Sequence, residues 1–465
     1  MRILLIQARL SFFAGNLMPL MNLPALSAYL KNAGYKEVEM LHMDLFPPGR
    51  EGVEERLRAF KPDIVGIGAM TAQARSMHAT AELVKKLSPG TLVAVGGPHP
   101  TSRPQDCAAN PAIDVLVLHE GERTLLELVR CLEEKKPFDG VKGIGFRREG
   151  RLVLTPPREF IEDLDSLPRP DWEAVDFDAY RGCLPTSMLG FGRKVVGLIT
   201  SRGCPYNCIF CHHQLGSVFR AHSPGRVLRD IAVLHDNYGI RDIEIIDDII
   251  NFDKDRLKAI LRGIAASGMK VRLYMAVGLR GDLLDEETID LMPAAGVVYL
   301  TVAIETGSPR MQKVIRKNLD LDKMKEMIAY AAKKRIFLQG LFLTGFPEET
   351  PADVWLTLRY ARGLRLHSMM IATCCAYKGT ELGDALAKDK PPPTAAACPA
   401  SYGYHVVNCS DMSDRRLKAM KFLMNVQFYY NPLRAYRILR DLPFRNLGLM
   451  KVFFRKLINK TLFFK

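Results

Sequence analysis

The stretch Val195–Cys211, VVGLITSRGCPYNCIFC, decides how the rest of the chain is read. Its first six residues, Val195–Thr200, are mostly apolar and β-branched and read as a buried strand. The loop that follows returns three cysteines, Cys204, Cys208 and Cys211, at C-x3-C-x2-C spacing. Three thiolates on one short loop can hold three irons of a 4Fe-4S cluster, because soft sulfur suits iron–sulfur chemistry and each iron needs a ligand. The fourth iron then lacks a protein ligand, and an open coordination position is where a substrate binds. The same trio with His212 or His213 as a fourth ligand would be a zinc pattern. A strand running straight into such a loop places the cysteines on the carboxyl-end face of a β/α barrel.

Downstream of the loop, apolar runs continue to alternate with helical patterns. Further strands are expected at Ile243–Ile246, Val271–Val277, Tyr299–Ile304, Phe337–Leu343 and Met370–Ala376. Ser223-Pro224 and Thr350-Pro351 are helix starts, a capping hydroxyl followed by proline at the first helical position, and Gly239, Gly268 and Gly296 fall where helices should stop. Six such units, residues 191–388, make a partial (β/α)6 barrel of TIM type. Its strand ends carry Asp247-Asp248, Arg280, Glu305-Thr306-Gly307-Ser308 and Thr344-Gly345-Phe346-Pro347, which with the cysteine loop are candidate site residues. Cys374 and Cys375 lie near the end of the sixth strand, where one is either a thiol facing substrate or a small buried hydrophobe.

Upstream, residues 1–134 repeat the alternation, with strands expected at Ile3–Ile6, Val38–His42, Ile64–Gly68, Leu92–Gly96 and Val115–Leu118. Helices are expected at Leu20–Leu30, Val53–Phe60, Ala72–Leu87 and Thr124–Leu132. This is an α/β, doubly wound, Rossmann-like sheet, whose ligands sit at the carboxyl ends of the strands. Asp44, Thr71, Gly96, Gly97, His99, Glu120 and Gly121 occupy those ends. Residues 135–190, with Pro157, Pro168 and Pro170, read as a linker, and residues 389–465 as a mainly helical segment with a basic amphipathic tail.

The cysteine spacing, with Phe210 just before the last cysteine, resembles the signature of the radical S-adenosylmethionine (radical SAM) superfamily. The upstream domain and the Asp165–Asp171 linker look like those of its cobalamin-dependent subfamily. The resemblance implies a 4Fe-4S cluster on Cys204, Cys208 and Cys211, and SAM chelated at the open iron and cleaved reductively to a 5′-deoxyadenosyl radical. It also implies an electron donor such as flavodoxin or ferredoxin, and SAM contacts from Phe210, Asp247, Asp248, Arg280, Glu305, Gly307 and Gly345. Cobalamin is expected at the seven upstream residues without a histidine on cobalt, since the Asp-x-His-x-x-Gly motif is absent and His42 precedes Asp44 in the reverse order. The expected activity is methylation of an unactivated carbon. A radical oxidoreductase or cyclase acting without methyl transfer shares the same motifs.

Composition bounds the remaining choices. Of 465 residues, 48% are hydrophobic and 25% charged, the profile of an ordinary globular protein with two or three cores. The ten cysteines are scattered apart from the trio and Cys374-Cys375, which argues for a reducing cytoplasm over a secreted disulfide framework. A net charge of +14 invites a nucleic-acid reading. Against it, the basic residues of the tail from Pro432 to Lys465 alternate with Phe and Leu rather than lining a polar groove. That pattern fits either a helix packed on the barrel or one lying on an anionic membrane, and the second would favour an apolar substrate such as a lipid, terpenoid or tetrapyrrole.

Overall fold

Runs of near-continuous apolar residues form parallel strands buried on both faces. In the computed structural model, which describes residues 1–10, 21–47, 52–181, 185–187, 189, 193–387 and 408–442, two compact units result. One holds the described residues of Met1–Tyr180 with His212–Gly216; the other holds the described residues of Arg181–Cys211 and those from Ser217 on.

The first unit is a seven-stranded sheet. Its strands are β1 (Ile3–Gln7), β2 (Val38–His42), β3 (Ile64–Gly68), β4 (Leu92–Gly96), β5 (Val115–Val117), β6 (Ile144–Arg148) and β7 (Arg151–Leu154), in the order β2-β1-β3-β4-β5-β6-β7. The first five are parallel, and the strand order reverses beside β1, the arrangement that opens a crevice at the carboxyl ends. Both faces are packed, one around Leu4, Ile6, Val65, Ile67 and Val95, the other around Ile3, Leu5, Ile64, Val115 and Leu128.

The stretch expected to be linker contributes β6 and β7. They join antiparallel through Glu149-Gly150, both at positive φ, a two-residue turn that the surrounding prolines and charges had masked. The last helix of the unit runs Gly121–Glu133, three residues earlier than its apolar spacing indicates, because its polar first turn carries no periodicity. The expected helix over Ala72–Leu87 divides into a 3-10 turn, Thr71–Gln73, and a helix, Ala74–Leu87.

The second unit contains β8 (Val195–Leu198), a short antiparallel pair β9 (Ser201–Arg202) and β10 (Arg220–Ala221), and then β11 (Asp242–Ile245), β12 (Arg272–Leu279), β13 (Val297–Glu305), β14 (Phe337–Thr344) and β15 (Ser368–Thr373). The six long strands are all parallel in the order β15-β14-β13-β12-β11-β8, a sheet that runs in chain order from one edge to the other as an open β/α barrel requires. The expected caps form. Ser223 and Thr350 accept from the backbone N–H groups of Arg226 and Asp353, each ahead of a proline at the helix start, and Gly239 and Gly268 end their helices at positive φ.

β15 begins and ends earlier than expected, so Cys374 and Cys375 follow the strand, although the Cys374 N–H still donates to the Thr344 carbonyl at 2.7 Å. Helix Asp414–Tyr429 buries Leu417, Met420, Met424 and Phe428. Within the described part of the tail, helix Pro432–Asp441 packs on this unit. Arg434 is buried with its guanidinium 3.4 Å from the Phe428 ring centroid, and Asp441 lies 3.0 Å from the His367 ring nitrogen. Residues 443–465 and the Pro391-Pro392-Pro393 run lie outside the described residues. No described helix is long and apolar enough to cross a membrane.

Candidate active site

The cysteine loop leaves the end of β8 and is tied down at several points. The Gly203 N–H, at φ +83, donates to the Asp248 carboxylate at 3.2 Å; the Ile209 N–H donates to Ile315 O at 3.3 Å; the Leu382 N–H donates to Ile209 O at 2.9 Å. The Cys211 N–H closes a turn onto Cys208 O at 3.1 Å. Phe210 packs 5.4 Å from Phe346, beside Met311, Ile315, Cys374 and Leu382. Phe210 is therefore the loop's apolar anchor, and Cys374 is a buried member of the same cluster.

Burial raises all three thiols, that of Cys211 to about 12 even though its surface is exposed, with Cys208 and Cys204 adding to the rise. Cys204 and Cys208 are raised by burial, and the Lys317 ammonium pulls each of the three partly back. Thiols raised by burial and by one another become thiolates together only when positive charge is placed among them. That donor set suits a cationic iron–sulfur centre.

The strand-end residues divide into groups that brace the loop and groups that face it. Asp247 is buried and accepts from the Thr200 N–H, the Thr200 hydroxyl and the Ser201 hydroxyl, each at 2.6 Å, so its carboxylate is occupied in holding the strand-to-loop turn. Arg280 is buried, paired with Asp282 at 2.8 Å, bonded to the Lys317 and Asn318 carbonyls, and lies 4.0 Å over the Tyr206 ring. It braces the loop through Tyr206, a residue that carried no spacing signal. Gly307 is needed by packing: a Cβ there would fall 2.5 Å from Tyr360 Cβ and 3.0 Å from the Thr357 backbone.

Glu305 lies near enough to Cys208 to raise its thiol. It sits at φ +62, a left-handed conformation that a non-glycine residue adopts only when its surroundings enforce it, here at the end of β13. Gln312 enforces it by donating to the carbonyls of Ile304 and Thr306. The Glu305 carboxylate accepts from Lys317 Nζ at 2.7 Å, with both side chains under 10% exposed. Lys317 was not anticipated. It sits in a turn between Arg316 and Asn318, both at positive φ, where neither periodicity nor motif marks it.

Gly345, at φ +85, donates its N–H to Glu349, whose other oxygen has no hydrogen-bond partner among the described residues. Burial pushes the Glu349 carboxyl up to about 7, the Gly345 N–H offsetting only part of the effect. An acid raised in the folded state holds its proton where the unfolded chain has lost it. Its stabilising contribution is thus complete below the ordinary value of 4.5 and is lost as pH rises through about 7. Glu349→Gln is expected to remove that loss, making the variant more stable than the parent by about 3 kcal/mol at pH 8 and flattening the stability–pH curve between pH 5 and 8 in urea unfolding.

An apolar face lies beside the loop. Ala303, Leu341 and Met370 are in register on β13, β14 and β15 and are half-buried, with Leu343 two residues further along β14 in the Phe210 cluster. A Cβ on Gly278 would touch Ala303 and Leu341. Alternation on β14 places Gln339 on the same face as a polar group below them.

In the first unit the strand ends hold Asp44, which accepts the Leu10 N–H at 3.1 Å, half-buried Thr71 beside exposed Met70, and the Gly96-Gly97 turn. Gly97, at φ +100 and ψ −169, uses backbone space closed to other residues; a Cβ would lie 3.0 Å from Ala69 O. Glu120 is buried and accepts the Ile161 N–H at 2.7 Å, and a Cβ on Gly121 would meet Leu26, so this pair is taken up by packing. His99 is fully buried, and the His42 Nδ1 lies 2.9 Å from the Tyr180 hydroxyl.

Residues 14–129 match the B12 binding domain and residues 198–361 the radical SAM superfamily. The chain is 31% identical over 332 residues, 70% of each sequence, to the uncharacterized methyltransferase PH0819 of Pyrococcus horikoshii. The chain belongs to the B12-binding radical SAM family. An anaerobic magnesium-protoporphyrin IX monomethyl ester cyclase of Rubrivivax gelatinosus is 25% identical over 72% of this chain and 60% of its own length. The fold is also that of the radical SAM methyltransferase TsrM from Kitasatospora setae, solved with cobalamin and a [4Fe-4S] cluster bound: TM-score 0.69 at 20% identity, covering 84% of this chain and 75% of that one. This B12-binding radical SAM protein therefore carries both expected domains in the expected order.

Proposed function

We propose that the protein is a cobalamin-dependent radical SAM methyltransferase that modifies an unactivated carbon of a small, largely apolar substrate. The observation that carries the reading is the meeting, at one end of one sheet, of three thiols, the buried Glu305–Lys317 pair and the half-buried face of Ala303, Leu341 and Met370. With its groups bound, such a site supplies a 5′-deoxyadenosyl radical from SAM and a methyl group from cobalamin. Cys204, Cys208 and Cys211 hold the cluster. Asp247, Asp248, Arg280 and Phe210 fix the loop that carries them, each through a bond or contact described above. Glu305 presents a carboxylate toward SAM's amino and ribose donors, with Lys317 holding it in place. The glycines at 307 and 345 keep the strand ends close-packed, and in the first unit Asp44, Thr71, Gly96 and Gly97 border the cobalamin crevice. The apolar face excludes water from the radical and receives the substrate's hydrocarbon.

Methyltransferases and a cyclase both stand among the relatives, so the alternative outcome is oxidation or ring closure without methyl transfer. Product mass separates the two. The reconstituted chain, given SAM, hydroxocobalamin and a flavodoxin or ferredoxin reductant, is expected to add one methylene to its substrate; loss of hydrogen or gain of oxygen would assign it to the cyclase or oxidoreductase class. Tyr430, Leu433, Tyr436 and Leu439 are exposed near the basic residues of the last described helix, which supports peripheral contact with an anionic membrane. Flotation with anionic against neutral liposomes tests it.

A further inference from the structure

His99, expected at the crevice, instead belongs to a separate constellation. His78 on helix Ala74–Leu87, His99 just after β4, and Cys107 on the short helix Pro104–Ala108 bring one ligand atom each to within 4.8 Å of one another. His99 and Cys107 are fully buried and His78 is half-buried. The two imidazoles meet edge-on, ring centroids 6.3 Å apart. Neither Nδ1 nor Nε2 of His99 has a hydrogen-bond partner among the described residues, although buried polar atoms are almost always satisfied. A fully enclosed imidazole with both nitrogens unmatched stands here beside a second imidazole and a thiol, the donor types that transition-metal sites use.

We propose that His78, His99 and Cys107 form a metal site in the B12-binding domain, distinct from the cluster loop, taking a borderline-soft ion of the zinc(II) class. Two imidazoles and one thiolate are donors that such an ion prefers, and hard, oxygen-seeking cations do not. Burial keeps His99 neutral, at about 4, so a lone pair is available at neutral pH. The Cys107 thiol is pushed up to about 12 by burial, and it is the ion's charge that would release its proton. The Asp106 carboxylate acts electrostatically on all three groups, and the Asn110 side-chain N–H donates to His78 Nδ1 at 3.0 Å, a bond that ring exchanges for the ion on binding. By tying the helix before β4 to the short helices Pro98–Ser102 and Pro104–Ala108 after it, a bound ion would brace the Gly96-Gly97 turn.

The test uses the full chain with Cys204, Cys208 and Cys211 changed to alanine, so that the cluster loop cannot take up the metal, titrated anaerobically with cobalt(II). Expected are about one equivalent bound, a near-ultraviolet thiolate-to-cobalt band, and loss of both on adding zinc. Adding Cys107→Ala, a small change at a buried position, should remove the band and weaken binding more than about 10-fold, with circular dichroism confirming the fold. His99→Gln should likewise weaken it. Absence of stoichiometric cobalt in the triple variant, or a band that survives Cys107→Ala, would overturn the assignment. Neither outcome touches the radical SAM reading, whose ligands are absent from the protein tested.

Discussion

Cys208→Ala is expected to lower reductive cleavage of SAM by more than about 100-fold, read as 5′-deoxyadenosine released per chain after anaerobic reconstitution. The magnitude follows from ligand count: with two thiols left, a second iron loses its protein ligand and the cluster does not assemble in place. The substitution leaves the loop's other supports intact, because Ile209 keeps its bonds to Ile315 and Leu382, Phe210 stays against Phe346, and Tyr206 stays under Arg280. The variant should therefore fold, and its B12-binding domain should still take up hydroxocobalamin with the parent's absorbance. Cleavage at the parent's rate would refute the assignment of the loop.

The second large effect is expected at Lys317. Its ammonium and the Glu305 carboxylate are 2.7 Å apart with little exposure, so removing one charge leaves the other buried and uncompensated. Breaking such a pair from one side destabilises by about 3–5 kcal/mol, whereas replacing both charges with neutral groups is often tolerated. Lys317→Met keeps the stem and its packing while removing the charge, and in urea unfolding it should lower the stability of the barrel unit by that amount. The double variant Lys317→Met with Glu305→Gln should recover about 2 kcal/mol or more of the loss. If the single and double variants are equally stable, the pair is not coupled.

Much of this architecture was legible because the physics that builds it is local. Buried parallel strands require continuous apolar runs, and β2, β3 and β4 begin and end where Val38–His42, Ile64–Gly68 and Leu92–Gly96 indicate. Proline after a capping hydroxyl places helix starts, and glycine at positive φ places their ends, in ways that need no tertiary partner. What was not legible depends on distant partners. The Glu149-Gly150 hairpin adds β6 and β7 only because β5 offers an open edge.

Residue types at strand ends identified the neighbourhood of the site, while the job of each was set by what it touches. Asp247 and Asp248 are adjacent in sequence, yet one is enclosed by Thr200 and Ser201 and the other holds the Gly203 N–H. Glu120 looked like a crevice ligand and is a brace for Ile161. Lys317 and Tyr206 were missed because a turn residue and an aromatic inside a cysteine motif carry no periodicity. His99 was placed at the cofactor crevice on the strength of its neighbours Gly96 and Gly97, and the turn those glycines make carries it inward instead.

The central claim is that the three thiols hold a cluster with one iron open to SAM. Its most direct test is electron paramagnetic resonance of the reduced, reconstituted protein with and without SAM. The account predicts about four irons and four sulfides per chain and a reduced-cluster signal that shifts when SAM is added. A single zinc in a complete tetrahedral shell on Cys204, Cys208 and Cys211, or a cluster signal indifferent to SAM, would contradict it.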